Sequence, residues 1–160
     1  MANIAITVPR LVRLPENSAF THGVKIKASD VNDSANSTDG DVATIEFTGS
    51  DLPSKFVVAR CVADVSTAFA TDGTLTYSVG TDGDDDNFLT DTDAKTAGVE
   101  IAAIGGAPVT LAGSFGSSGD DLMVSLNTQA ATGALSDITA GELDVYFDII
   151  DIGSASLNLN

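Results

Sequence analysis

Thr74-Leu75-Thr76-Tyr77-Ser78-Val79 alternates without a break, with Leu75, Tyr77 and Val79 on one side and the hydroxyl residues on the other. Side chains alternate across a β-strand, so a period of two fits a half-buried strand and not a helix, whose apolar positions recur every 3.6 residues. The same signal returns along the chain. Residues 4–8 put Ile4, Ile6 and Val8 on one side, and residues 24–27 alternate Val and Ile with Lys. Residues 42–47 are rich in β-branched and aromatic side chains, the types favoured on a pleated surface. Residues 56–65 form a longer apolar run, broken on one parity by Arg60 and Asp64. That run predicts a central strand covered on both faces. Runs at 99–104, 109–111, 122–126 and 143–150 complete the set.

Turn formers separate these runs: Asp39-Gly40, Thr48-Gly49-Ser50, Asp72-Gly73, Asp82-Gly83, Gly105-Gly106, Ser117-Ser118-Gly119 and Gly141. Asp-Gly and Gly-rich pairs supply the positive φ that tight turns require. A helical period is hard to find; only residues 88–97, with Asn87 as cap, can hold a turn of helix. The expected fold is all-β, an antiparallel β-sandwich of jelly-roll type with roughly 8–10 short strands. The 160 residues suit one domain, 1–160, which buries roughly 68–70% of its unfolded surface. Residues 1–20 are read as an N-terminal arm or edge strand, since a terminal alternating strand is free to add to a neighbour's sheet. The polar stretch 29–41 reads as a loop.

Charge narrows the function. Seven Lys and Arg stand against 23 Asp and Glu, a net charge of −16. Binding to DNA or RNA without regard to sequence needs cationic contacts to phosphate, and anionic membranes need the same, so both partners are disfavoured. No charged segment followed by an apolar stretch opens the chain at Met1-Ala2-Asn3-Ile4, so synthesis and first folding are expected in a cytoplasm. No apolar run approaches the roughly 20 residues of a membrane helix.

Catalytic chemistry has few residues to use. The lone Cys61 sits among Val57, Val58, Ala59 and Val62 without a basic neighbour to lower its pKa, and reads as a small buried apolar residue. The single His22 lies between Thr21 and Gly23 and reads as a turn or surface histidine. One histidine with no cysteine nearby does not make a zinc site, and no serine sits in a Gly-x-Ser-x-Gly elbow. The Gly-rich segment 113–119 lacks the Gly-Lys-Ser/Thr of a phosphate loop. There is no Trp, and Tyr occurs twice, which weakens a sugar-stacking cleft. The expectation is a protein without enzymatic activity.

One constellation can hold a cation. Thr81-Asp82-Gly83-Asp84-Asp85-Asp86-Asn87 places Asp82, Asp84 and Asp86 at alternate positions, and Asp-x-Asp-x-Asp can wrap a calcium ion with carboxylate oxygens. Asp93 falls where the last ligand of a helix-loop-helix calcium loop would stand. Against that loop, Asn87 occupies the position that wants Gly, Asp93 is shorter than the bidentate Glu, and flanking helices are missing. The competing and preferred reading is an acidic, solvated hairpin tip, with no cofactor.

Two stretches form a recognisable pair. Residues 56–65 lead into Thr74-Leu75-Thr76-Tyr77-Ser78-Val79-Gly80-Thr81-Asp82-Gly83-Asp84-Asp85-Asp86-Asn87-Phe88-Leu89, and Thr139-Ala140-Gly141-Glu142-Leu143-Asp144-Val145-Tyr146 follows much later. This pattern resembles β-sandwich virion proteins of tailed bacteriophages, notably capsid decoration or cement proteins, across about two-thirds of the chain. The resemblance implies a non-enzymatic subunit on the outer capsid surface of the virion, made in the host cytoplasm. It implies the major capsid protein and other copies of the chain, a trimer favoured, as partners. The alternatives are a phage tail or head-tail connector component, or a calcium-dependent adhesin or surface-layer-like module.

Overall fold

A computed structural model describes residues 3–6, 11–32, 40–47, 52–53, 56–81, 83–102, 122–128 and 133–151. They are mostly strand: β1 (Asn3–Ile6), β2 (Val12–Arg13), β3 (His22–Lys27), β4 (Val42–Phe47), β5 (Phe56–Ala70), β6 (Leu75–Thr81), β7 (Asp84–Asp93), β8 (Gly98–Ile101), β9 (Leu122–Thr128) and β10 (Ala140–Asp151). One helical turn, α1 (Ala28–Val31), and a 3-10 turn at Leu135–Asp137 are the only helical pieces among the described residues. Each opens on an Asp carboxylate reaching back to a backbone N–H: Asp30 to Lys27 at 2.7 Å and Asp137 to Ala134 at 3.1 Å.

Two five-stranded sheets pack face to face as an all-β sandwich, one ordered β1-β4-β9-β6-β7 and the other β2-β3-β10-β5-β8. The order has a simple origin. Strand β3 pairs with β10, β4 with β9, β5 with β8 and β6 with β7. The chain from β3 onward is thus one long antiparallel ribbon, doubled back at the β6–β7 turn. Successive ribbon pairs fall in opposite sheets, and β10–β5 and β9–β6 pairing closes each sheet. That winding is the jelly roll the sequence leads one to expect. Strand β2 extends one sheet antiparallel on β3, and β1 extends the other in parallel on β4, the one departure from antiparallel pairing among the described residues.

The inward parity of each strand supplies the core. Val24, Ile26, Cys61, Ala63, Leu143, Val145 and Phe147 face Ala43, Ile45, Leu75, Tyr77, Val79, Val124 and Leu126, all at most 4% exposed. Phe47 and Phe147 meet edge to face at 6.4 Å, tying β4 to β10 across the sandwich. Leu75, Tyr77 and Val79 point inward as their alternation requires.

Several expectations are corrected. Residues 88–97 hold no helix: β7 runs to Asp93 because it is paired along β6, and Phe88 and Leu89 are buried there. The run at 56–65 extends to Ala70 and is buried on its inner face only; Val57, Ala59, Val62 and Asp64 are half-buried outside. Gly141 is no turn residue but lies inside β10, at φ +137°, where the register with β5 shifts. The stretch 29–41 begins as helix α1, and its middle lies outside the described residues. So do the expected strand at 109–111 and the Gly-rich segment 113–119.

Candidate functional site

The acidic segment lies at the turn about which the whole ribbon doubles back. Thr81 pairs with Asp84 at the end of β6 and the start of β7, and Asp-Gly, the sequence between them, is a preferred pair for a two-residue hairpin. Asp82 itself lies outside the described residues. Beyond the turn, the register jumps from Thr81↔Asp84 to Val79↔Leu89, so β7 bulges past β6. Gly80 makes this close passage possible: a Cβ there would strike the backbone of Asp84 and Asp85.

The bulge breaks the alternation of β7 and gathers neighbouring carboxylates. Oxygens of Asp84, Asp85 and Asp86 lie within 4.8 Å of one another, all on exposed residues. Asp84 and Asp86 share a hydrogen bond, and that bond, followed by burial and repulsion from Asp84, Asp85 and Asp91, raises the Asp86 pKa. In the same bulge, Asn87 Oδ1 is buried without a hydrogen-bond partner, while its Nδ2 stands 3.5 Å from Thr81 Oγ1. Three clustered carboxylates can recruit a hard cation, but calcium takes 6–8 oxygens, and water would have to supply most of the shell. The structure brings Asp84 and Asp86 together as the spacing suggested, and adds Asp85, which the alternate spacing passed over. It separates Asp93 from them by seven to nine residues of strand, roughly 23–30 Å. Asp93 instead accepts hydrogen bonds from the Lys95 backbone N–H at 2.9 Å and Thr96 Oγ1 at 2.7 Å, which lower its pKa. The helix-loop-helix calcium arrangement is therefore excluded.

The other reactive side chains are used in packing. Cys61 is 1% exposed, and burial pushes its thiol up to about 12. His22 is a buried strand residue and not a turn histidine, because its register partner is the inward-facing Phe147. Its Nδ1 lies 2.9 Å from Thr21 Oγ1. Thr21 Oγ1 in turn accepts a hydrogen bond from the Ile149 backbone N–H at 2.7 Å. Burial, with the charge of Glu100 adding to it, pushes the Tyr77 phenol up to about 12. Among the described residues, no helix is long and apolar enough to cross a membrane.

With fold and site in view, the described residues define a jelly-roll sandwich of ten strands with an acidic ribbon tip. Compared with protein-family models, with curated proteins and with solved structures, the chain matches none.

Proposed function

We propose that the chain is a non-enzymatic structural subunit of a tailed-phage particle, and specifically a decoration or cement protein that sits on the outer capsid surface and stabilises the head. The observation that carries this reading is the ribbon-wound jelly roll, an architecture recurrent in viral shell domains. Fold alone does not fix function; the stretches that resemble decoration proteins add to it, because they fall on β5, β6, β7 and β10. The residue types that usually carry chemistry are engaged in packing: Cys61 and His22 sit in the sandwich. Its partners on this reading are the major capsid protein and further copies of itself, with a trimer favoured. The protein is made in the host cytoplasm and ends on the virion. Many modest contacts, repeated over a shell, then give a high avidity.

The test is to add purified protein to heads of the encoding phage prepared without it and to sediment the mixture. Saturable binding at a fixed copy number per shell is expected. Absence of binding to heads, with binding to tails or connectors, moves the protein to the tail or head-tail junction. Absence of binding to any particle component overturns the reading. A second reading, a calcium-dependent adhesin-like module, is favoured by the convergence of Asp84, Asp85 and Asp86. It requires a melting temperature that falls when a chelator is added, whereas the particle reading predicts no change.

A further inference from the structure

We infer that the outer face of the β2-β3-β10-β5-β8 sheet is where a second copy of this chain packs. The inference rests on the chain being a self-assembling subunit, though not on the particle being a phage.

Register places a row of side chains straight across this sheet. Val12 pairs with Gly23, Gly23 with Tyr146, Tyr146 with Val62 and Val62 with Ile101. Partners in a ladder share a face, and Tyr146 and Val62 are on the parity opposite the buried Val145 and Cys61. The row is therefore external. Gly23 is the low point of the stripe, and a Cβ there would meet the Tyr146 ring at 3.2 Å. Val99, opposite Asp64, and Ile150, opposite Val57, lie on the same face. Among the described residues, the large exposed hydrophobic ones are Val12 at 53%, Val99 at 58%, Ile101 at 71% and Ile150 at 51%. All four belong to this one face, Val12 and Ile101 in the row and Val99 and Ile150 flanking it, and clustered apolar surface of this kind marks an interaction site.

Charge decides what covers it. A second copy carries the same −16, so two copies repel wherever carboxylates lack a cation. This face is close to balanced, with outward Lys25, Lys27 and Arg60 against Asp64, Glu142, Asp144 and Asp148. Lys25 Nζ holds Glu142 at 3.0 Å and Asp144 at 2.9 Å on one flank of the stripe. Arg60 holds Asp148 at 3.1 Å on the other. These ion pairs frame the apolar row as a polar rim frames an interface core. The Arg60 guanidinium also lies 4.8 Å from the centre of the Phe20 ring, which stacks on Tyr146 at 5.6 Å. These contacts tie Tyr146, at the middle of the stripe, to the Arg60–Asp148 pair. The hairpin carboxylates Asp84, Asp85 and Asp86 make no ion pair among the described residues, so a basic partner would be drawn to the β6–β7 tip in preference to this face. The copies meet face to face and not along the edge of β8, because Glu100 stands on the inward parity of that edge strand, a charge that obstructs strand addition.

The experiment compares light-scattering mass at tens of micromolar for the wild type, for the double variant V12D/I101D, and for the control T90D. Thr90 is exposed on β7, in the other sheet. An oligomeric wild type, an oligomeric control and a monomeric V12D/I101D with an unchanged β-sheet circular dichroism spectrum are expected, with association weakened at least tenfold. A monomeric wild type overturns the inference. So does an oligomer that survives both substitutions, which places the contact elsewhere. A monomeric wild type whose melting temperature falls in V12D/I101D shows the face to be covered by the chain itself. Because no phage head enters the experiment, failure to bind heads leaves this result standing, and the reverse holds as well.

Discussion

Individual positions carry the sharpest expectations. Gly141 adopts φ +137°, and a Cβ on it would run into the ring and Cα of Phe69. Strain and overpacking add, so Gly141→Ala should cost at least about 2 kcal/mol, seen as a fall of roughly 5 °C or more in melting temperature. Phe147 is fully buried against Phe47, and Phe147→Ala should cost about 3–5 kcal/mol by chemical denaturation. The acidic tip works in the opposite sense. The Asp86 pKa is raised in the fold, so the folded state binds a proton more tightly than the unfolded chain. Ionising the cluster therefore costs stability, and that cost is present above the folded pKa and disappears as pH falls through it. Asp86→Asn should raise the melting temperature near neutral pH by about a degree. The gain should shrink in high salt and vanish in acid. A loss at neutral pH would mean that the carboxylates hold something they need. Asp93 has the contrary sign: its lowered pKa stabilises the fold above the usual carboxylate range and ceases to as pH falls through the folded value.

Strands differed in how plainly their residues announced them. Strands β3, β6 and β10 were legible because alternation is local and needs no knowledge of partners. Strand β7 was not, because Asp84, Asp85, Asp86 and Asn87 are poor strand formers, and pairing with β6 at Asp84 and again from Leu89 onward carries the strand across them. Gly141 read as a turn since glycine signals conformational freedom without saying whether a turn or a bulge uses it. At the tip, the turn and the carboxylates were visible in the sequence, but the register jump that recruits Asp85 was not. The Arg60–Phe20–Tyr146 stack had no signal, as it joins three segments far apart in the chain. Strand β1 lies outside the closed ribbon β3–β10. Removing residues 1–9 should therefore leave a folded sandwich with an unchanged β-sheet circular dichroism spectrum and a lower melting temperature. Loss of cooperative melting would show the terminal strand to be integral to the fold.

The molecule as a whole is a sandwich whose two outer surfaces differ. One presents an apolar stripe between nearly balanced charges; the β6–β7 tip of the other gathers carboxylates that make no ion pair among the described residues. High net negative charge opposes the approach of like copies, least at the sheet face whose charges nearly balance. A subunit of this kind suits a repeated lattice, where each contact is modest and the sum is large. If the chain cements a capsid, the added contacts must raise the stability of the shell itself. The decisive measurement is the temperature at which DNA-filled heads release their DNA, followed by dye fluorescence, for heads stripped of the protein and for the same heads after it is restored. A release temperature several degrees higher on restoration is expected, saturating at full occupancy and indifferent to a calcium chelator. Heads that bind the protein yet release DNA at an unchanged temperature would contradict a cementing role.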